Sequence, residues 1–308
     1  MKVLFIAGKG RAGSTLVDSM LGQVPGFTST GEFFRFWEWG MKNGWSCGCG
    51  RPLPECEFWS EVLGRGFPGG SPDATEMTAV TAEVFSWKNV PKLLRAKPAE
   101  ISRWPALERY MSVTESIFRA ALEVSGDKVI VDSTKWPASP VALGLIPGAK
   151  VYVVQLVRDP RAVAYSWRQP KTWDDRPGEE EMPRFGPAYS GLSWTMRNGL
   201  TEVVARRHRP DRFALLRYED LIADPRRAIE TLVELVGEPP PDLGFLSDGS
   251  AVLEPTHTVG GNPNRLSTGN VPLKLDDRWR TEQPRVERWI TNTLAFPLLG
   301  RYGYRMKL

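Results

Sequence analysis

The sequence predicts an α/β protein whose central parallel sheet is flanked by helices in three layers. Three observations predict it. Short runs with apolar centres recur at Val3–Ala7, Lys128–Asp132, Lys150–Val157 and Arg212–Arg217, the pattern of strands buried on both faces. Segments of helical length separate them, and strands alternating with helices imply parallel neighbours joined by crossovers. The first run ends in a glycine-rich turn that opens straight into a helix.

Val3–Ala7 stops at Gly8, and Leu16, Met20 and Leu21 then recur at helical spacing until Gly22 and Pro25. A second strand should bring the chain back near Thr28–Thr30. Residues 40–105 are rich in Gly, Pro and Trp and read as loops with short helices. Ala106–Val124 is helical and closed by Gly126. The strand at Lys150–Val157 is followed by Arg158-Asp159-Pro160 and a helix from about Arg161, where an early proline is favourable because its missing N–H would be unpaired anyway. Lys171–Gly186, with Glu179-Glu180-Glu181, reads as an exposed, mobile insertion. Helices are expected over Ala188–Arg207, Pro225–Val236 (Gly237 just past its end) and Trp279–Leu294, with loops from Pro239 to Asp277. One domain over 1–308 with insertions at about 40–105 and 239–277 fits this order.

The 308 residues are 41% hydrophobic and 25% charged, which excludes a disordered or membrane-embedded chain. A net charge of +4 suits an anionic ligand, and without a run of Lys or Arg no nucleic-acid partner is expected. The first apolar stretch breaks at Gly8-Lys9-Gly10-Arg11, short of the ~7–15 residues of a signal h-region, and nothing approaches the ~18 of a membrane span. A cytoplasmic location is expected. Oligomeric state has no signature here.

Cys47, Cys49 and Cys56, the three cysteines, share one segment. Their odd number argues against a disulfide framework. Three thiolates would need a fourth ligand to hold a metal; neither His208 nor His257 is near in sequence, and Cys-x-Cys is poor zinc spacing. Packed or occasionally oxidised thiols are therefore favoured over zinc, and no metal is expected.

Gly8 and Gly13 stand as in a P-loop, but Ser14-Thr15 occupies the place of Lys-Ser/Thr. Backbone N–H groups and a helix N-terminus there suit an anion. The P-loop lysine that neutralises a triphosphate is absent, and the cation sits inside the loop as Arg11 or Lys9. A ligandless glycine turn is the competing reading. Downstream, Leu156-Val157-Arg158-Asp159-Pro160-Arg161 ends a strand and carries Ser166 two helical turns on. An arginine fork at a strand's carboxyl end plus a hydroxyl is good chemistry for a terminal phosphate. The alternative is a salt bridge from Arg158 to Asp159 or Asp132 with Ser166 merely solvated.

These two segments together resemble the sulfotransferase superfamily that uses 3′-phosphoadenosine 5′-phosphosulfate (PAPS). Gly10-Arg11-Ala12-Gly13-Ser14-Thr15-Leu16 looks like the 5′-phosphosulfate loop of carbohydrate and tyrosylprotein sulfotransferases, with Ala12 in place of the usual serine. Arg158 and Ser166 match the 3′-phosphate motif. Val131-Asp132-Ser133-Thr134-Lys135 resembles a strand element of bacterial members, and Lys135 falls where the tyrosylprotein branch has a lysine at the transferring sulfate; a solvated lysine is the plain alternative. The resemblance gives Tyr218, in Arg217-Tyr218-Glu219-Asp220-Leu221, a contact with adenine, against simple core packing. It makes Arg265, in Gly261-Asn262-Pro263-Asn264-Arg265, a second 3′-phosphate ligand, against an exposed loop arginine.

Sulfuryl transfer to a neutral hydroxyl needs a proton acceptor. Glu32, in Thr30-Gly31-Glu32-Phe33, follows the second strand and resembles the Gly-Glu of the tyrosylprotein branch, with Phe33, Phe34, Phe36, Trp37 and Trp39 expected to wall the site. Pairing of Glu32 with Arg35 or Arg11 is the competing reading, and His257 the fallback base. The function implied is transfer from PAPS to a small-molecule, phenol or carbohydrate hydroxyl, releasing 3′,5′-adenosine bisphosphate. A P-loop kinase using Asp132 to hold magnesium, or a non-catalytic nucleotide binder, are the rivals.

Overall fold

The structure is a computed structural model that describes residues 1–173, 175–176, 180–207 and 210–306; His208 and Glu179 lie outside them. Five strands form one parallel sheet: β1 (Lys2–Gly8), β2 (Phe27–Ser29), β3 (Val129–Lys135), β4 (Lys150–Val157) and β5 (Phe213–Arg217), in the order β2-β3-β1-β4-β5. β1 is central because it is apolar from Val3 to Ala7: Val3, Leu4, Phe5 and Ile6 are fully buried. Its side chains alternate between two cores. Val3 and Phe5 pack with Ile117 and Phe118 of helix α2 (Pro105–Ser125). Leu4 and Ile6 pack with Val17 and Met20 of α1 (Ser14–Leu21) and Ile229 of α5 (Pro225–Leu235).

The remaining helices used below are α3 (Pro160–Arg168), α4 (Pro187–Ala205) and α6 (Arg285–Leu299). α3 starts as its sequence dictates: Pro160 stands in its first turn and the Asp159 carboxylate accepts from Arg161 N–H at 2.9 Å.

Two expectations change. The expected closing helix from Trp279 to Leu294 is broken: a turn at Trp279–Glu282 stops at Gln283, and α6 resumes at Arg285 and runs to Leu299. A residue before proline is disfavoured in the helical region, and Gln283, before Pro284, is extended (ψ 129°). The segment read as loops after Pro239 contains a three-stranded antiparallel sheet (Leu246–Ser247, Ser250–Leu253, Gly269–Pro272). Leu246, Ala251 and Leu253 join the core on the α1 side, a long-range packing that such short strands do not advertise.

Register places the carboxyl ends of all five strands on one edge. Gly8 lies opposite Leu156, Ala7 opposite Lys135, and Val157 opposite Arg217. The residues immediately beyond these ends are therefore neighbours, which is where open α/β sheets bind ligands.

Beneath this edge Asp18 of α1 is fully buried and accepts from Ser29 Oγ at 2.6 Å. Burial pushes its carboxyl up from 3.8 to about 7, with the serine hydrogen bond opposing. The folded chain thus holds this proton more tightly than the unfolded one, so stability is lost as pH rises from about 4 through 7. We expect Asp18→Asn to narrow the fall in urea midpoint between pH 5 and pH 8 by an amount worth up to about 3 kcal/mol, since about two pK units of the shift fall in that window. An unchanged pH dependence in the variant would show that Asp18 does not titrate in this range.

Candidate active site

A cavity of about 680 Å³ opens at the carboxyl edge of the sheet. All five strand ends supply its wall: the loop after β1, Glu32 after β2, Lys135 closing β3, Arg158 after β4 and Tyr218 after β5. Cations outnumber acids on it; Lys9, Arg11, Lys135, Arg158, Lys171 and Arg197 face Glu32 and Asp276.

The loop after β1 turns back through Gly13 in a left-handed conformation (φ 98°) and enters α1 with no side-chain cap. Uncapped first-turn N–H groups leave the helix N-terminus free for an anion. Gly13 is needed on two counts: its φ, and a Cβ there would sit 2.3 Å from the Tyr218 ring. Ser14 and Thr15 line the cavity, whereas Ala12 turns its methyl into the core beside Leu4 and Val17. The departure from serine is therefore a packing choice.

Arg11 and Lys135 are, among the described residues, the two non-glycine residues with positive φ (73° and 63°). Such backbone costs about 1–3 kcal/mol and concentrates at functional sites. The Arg11 guanidinium lies 4.7 Å over the Trp167 ring, and its Nε and Nη1 are buried without partners. Arg158 is stacked 4.6 Å over Tyr218; its Nη1 donates to the Arg11 carbonyl at 3.3 Å and its Nη2 to the Asp276 carbonyl at 3.2 Å, while Nε has no partner. Buried guanidinium donors left unpaired are expensive unless an anion completes them. The alternative salt bridge is not formed: Asp159 is taken by Arg161 at 2.6 Å, and Asp132 accepts from Thr134 N–H. Ser166 of α3 lines the same cavity.

Glu32 forms an ion pair with Lys135, neither of its expected arginine partners; Arg35 pairs with Glu38 instead. Lys135 also donates to the Ser133 carbonyl at 3.0 Å. Glu32 is held from behind, its N–H donating to the Val259 carbonyl at 2.7 Å. Of the aromatic residues around it, Phe34 and Trp39 face the cavity, but Phe33, Phe36 and Trp37 are buried in the core. Consecutive residues cannot all turn to one face.

Several sequence-based placements change. Arg265 is not on the cavity wall: it is buried, ion-paired to Asp175 at 2.7 Å and hydrogen-bonded to the Ser46 and Thr258 carbonyls. It ties three loops together away from the cavity, with only its Nε unpartnered. His257 is also off the cavity, its ring stacked on Phe58 at 4.5 Å and its Nδ1 turned to Cys47 and Cys56. Sequence distance had separated His257 from the cysteines, but the fold brings it among them. Asp132 is buried and off the wall as well. The segment read as an exposed insertion buries Trp173, Asp175 and Met182, and Trp173 packs on Trp39 and Trp45.

Of two further cations on the wall, Lys9 was the alternative to Arg11 inside the loop, and Arg197 escaped sequence reasoning. Lys9 is buried among Trp167 (4.9 Å), Tyr189 (5.3 Å) and Phe185 (5.9 Å). Burial, with Arg197 and Arg11 adding repulsion, lowers its pKa to about 7. Arg197 projects from α4 over Trp136 at 5.0 Å, with Glu32 supporting its charge. An arginine on the same helix as the buried Trp194, Asn198 and Thr201 is the signal that could have found it.

Sheet and cavity define a P-loop-like α/β protein with a cation-rich wall at the carboxyl edge. The sulfotransferase domain matches residues 2–243, and the chain belongs to that family, as its motifs led us to expect. Two solved structures cover it nearly end to end. The sulfotransferase domain of the Synechococcus PCC 7002 olefin synthase covers 100% of this chain and 96% of its own length (19% identity, TM-score 0.51). The sulfotransferase domain from the curacin biosynthetic pathway covers 99% of each (17% identity, TM-score 0.53). These likenesses are of fold, and they agree with the expected α/β class. Carbohydrate sulfotransferase 3 of Tetronarce californica is 24% identical over 166 residues, which span 50% of this chain and 36% of that protein.

Proposed function

We propose that the chain transfers a sulfuryl group from PAPS to the hydroxyl of a small-molecule or carbohydrate acceptor, with Glu32 as general base. The observation that supports it most is the pair Arg11 and Arg158. Each has buried, unpartnered guanidinium nitrogen, and the two are joined through one hydrogen bond at the edge of a single cavity. A volume of about 680 Å³ lies within the range of pockets that enclose molecules of nucleotide size.

Arg11 and the uncapped start of α1 would take the 5′-phosphosulfate, and Arg158 with Ser166 the 3′-phosphate. Tyr218 would flank the adenine. With the donor bound, Lys135 would turn from Glu32 to the oxygen bridging sulfur and phosphorus. Glu32, so released, accepts the proton of the acceptor hydroxyl as the acceptor oxygen bonds to sulfur and the bridging S–O bond breaks. The electron pair leaves with 3′,5′-adenosine bisphosphate, where Lys135 offsets the charge. Phe34, Trp39 and Trp173 offer flat apolar faces to an acceptor.

The kinase alternative gave magnesium to Asp132, which is buried away from the wall. The test is calorimetry and mass spectrometry on the full chain. We expect 3′,5′-adenosine bisphosphate to bind without metal, and PAPS to add one sulfate to members of a hydroxylated acceptor panel. Binding of ATP that requires magnesium, with none of 3′,5′-adenosine bisphosphate, would overturn the proposal.

A further inference from the structure

Outside the cavity, the sulfur atoms of Cys47, Cys49 and Cys56 and a ring nitrogen of His257 all lie within 4.8 Å of one another. His257 Nδ1 is 3.3 Å from Cys56 Sγ and 3.7 Å from Cys47 Sγ, and Cys49 Sγ is 3.7 Å from Cys56 Sγ. A tetrahedron with Zn–S of ~2.3 Å and Zn–N of ~2.0–2.1 Å has edges of about 3.5–3.8 Å. Two of the three short separations match those edges, the third is about 0.2 Å shorter, and all the ligand atoms lie within 4.8 Å of one another. They are far from the ~2.05 Å of a disulfide, and the three thiols are free.

The surroundings are built to hold this arrangement. Cys47-Gly48-Cys49-Gly50 is a tight turn in which Gly50 N–H donates to the Cys47 carbonyl at 2.9 Å and Cys47 N–H to the Arg51 carbonyl at 2.7 Å. The turn is pressed onto the histidine segment: Gly48 N–H donates to the Thr258 carbonyl at 2.9 Å, and a Cβ at Gly48 would lie 2.3 Å from the Thr256 carbonyl oxygen. Cys56 stands immediately before the helix Glu57–Gly66. Trp59 of that helix donates its indole N–H to the His257 carbonyl at 2.8 Å, and Phe58 stacks flat on the imidazole. Ring and backbone of His257 are thus both fixed before any ion arrives.

We infer that Cys47, Cys49, Cys56 and His257 form a closed tetrahedral Zn²⁺ site that clamps the cysteine turn to the 256–261 segment behind Glu32. The softness of three sulfur ligands and one imidazole selects zinc over magnesium or calcium. Four protein ligands leave no position for water or substrate, so the ion is structural. Binding releases three thiol protons to solvent and leaves a net charge of −1 on the Zn(S)₃N unit. Its reach to the active site is short: Val259, two residues from His257, accepts the Glu32 N–H, and Gly261 packs against the Glu32 carboxylate. The site does not depend on the PAPS proposal, and its test does not use activity.

The experiment is metal analysis of the reduced full-length protein purified without chelator, then exchanged with Co²⁺. We expect about one zinc per chain. Cobalt should give thiolate charge-transfer and strong tetrahedral d–d bands. His257→Ala and Cys49→Ser should lose the stoichiometric metal and the cobalt spectrum, whereas His257→Cys, which restores a four-ligand set, should keep both. Stripping wild-type protein with a chelator should lower Tm, with recovery by Zn²⁺ and none by Mg²⁺. Reduced wild-type protein that retains no zinc after incubation and gel filtration, or that exposes all three thiols to a thiol reagent in the presence of zinc, would overturn the site. A Cys49–Cys56 disulfide persisting under reductant with no metal uptake would overturn it equally.

Discussion

Replacing Glu32 by glutamine is expected to lower kcat by about 10²–10⁴-fold, the range over which a positioned general base contributes. The substitution keeps shape and hydrogen bonding: the amide oxygen can still accept from Lys135, and the backbone link to Val259 is untouched. What is lost is the ability to take a proton from the acceptor. Affinity for 3′,5′-adenosine bisphosphate should therefore stay within about threefold of wild type, because the groups proposed to hold it are Arg11, Arg158 and Ser166. Thermal stability should fall as well, since the Lys135–Glu32 pair is more than four-fifths buried (12% and 18% exposed) and the variant leaves the Lys135 charge without its counter-ion; the kinetic loss is read on protein shown to be folded. Single-turnover kinetics with a saturating acceptor separate chemistry from product release. Turnover near wild type in Glu32→Gln would remove this residue from the mechanism and leave Lys135 as its structural partner only.

The second large effect is on binding. Arg158→Ala should weaken 3′,5′-adenosine bisphosphate by about 10²-fold, the loss of two charge-assisted hydrogen bonds at about 1.5 kcal/mol each. Arg158→Lys should recover little, because an ammonium cannot reproduce the planar fork. The free protein should not suffer in proportion. Arg158 makes two long hydrogen bonds to carbonyls and leaves its Nε unpartnered, so its removal relieves one buried orphan as it breaks those contacts. A binding loss with little change in Tm distinguishes a ligand-holding arginine from a structural one. Unchanged affinity in the alanine variant would refute the second anion site, and with it the proposal that one nucleotide spans the cavity.

Local sequence made most of the scaffold legible, for a physical reason. A strand buried on both faces must be apolar along its length, and the helix after it must start where its caps and glycines allow. Hence Val3–Ala7, Lys150–Val157 and the turn at Gly8–Thr15 declare themselves, and the strand order then carries Glu32, Lys135, Arg158 and Tyr218 to one edge. Strand ends are readable, and in a parallel sheet they share a side.

Side-chain partnership is different, because it depends on what packs across many residues of intervening chain. Arg265 sits in a loop whose motif suggested phosphate, yet Asp175, 90 residues away, consumes its charge inside the protein. His257 is 201 residues from Cys56 and reaches it only because the cysteine turn docks on the strand-like segment beside Glu32. Lys9 and Arg197 acquired their roles from aromatic neighbours in other helices and loops. The sequence by itself determined the layered sheet, its glycine turn and the strand ends that carry the cations, since each follows from period and backbone freedom within a few residues. Tertiary structure alone decided which charges face the cavity, which are neutralised in the core, and which four ligands meet, because burial and pairing are properties of distant chain brought together.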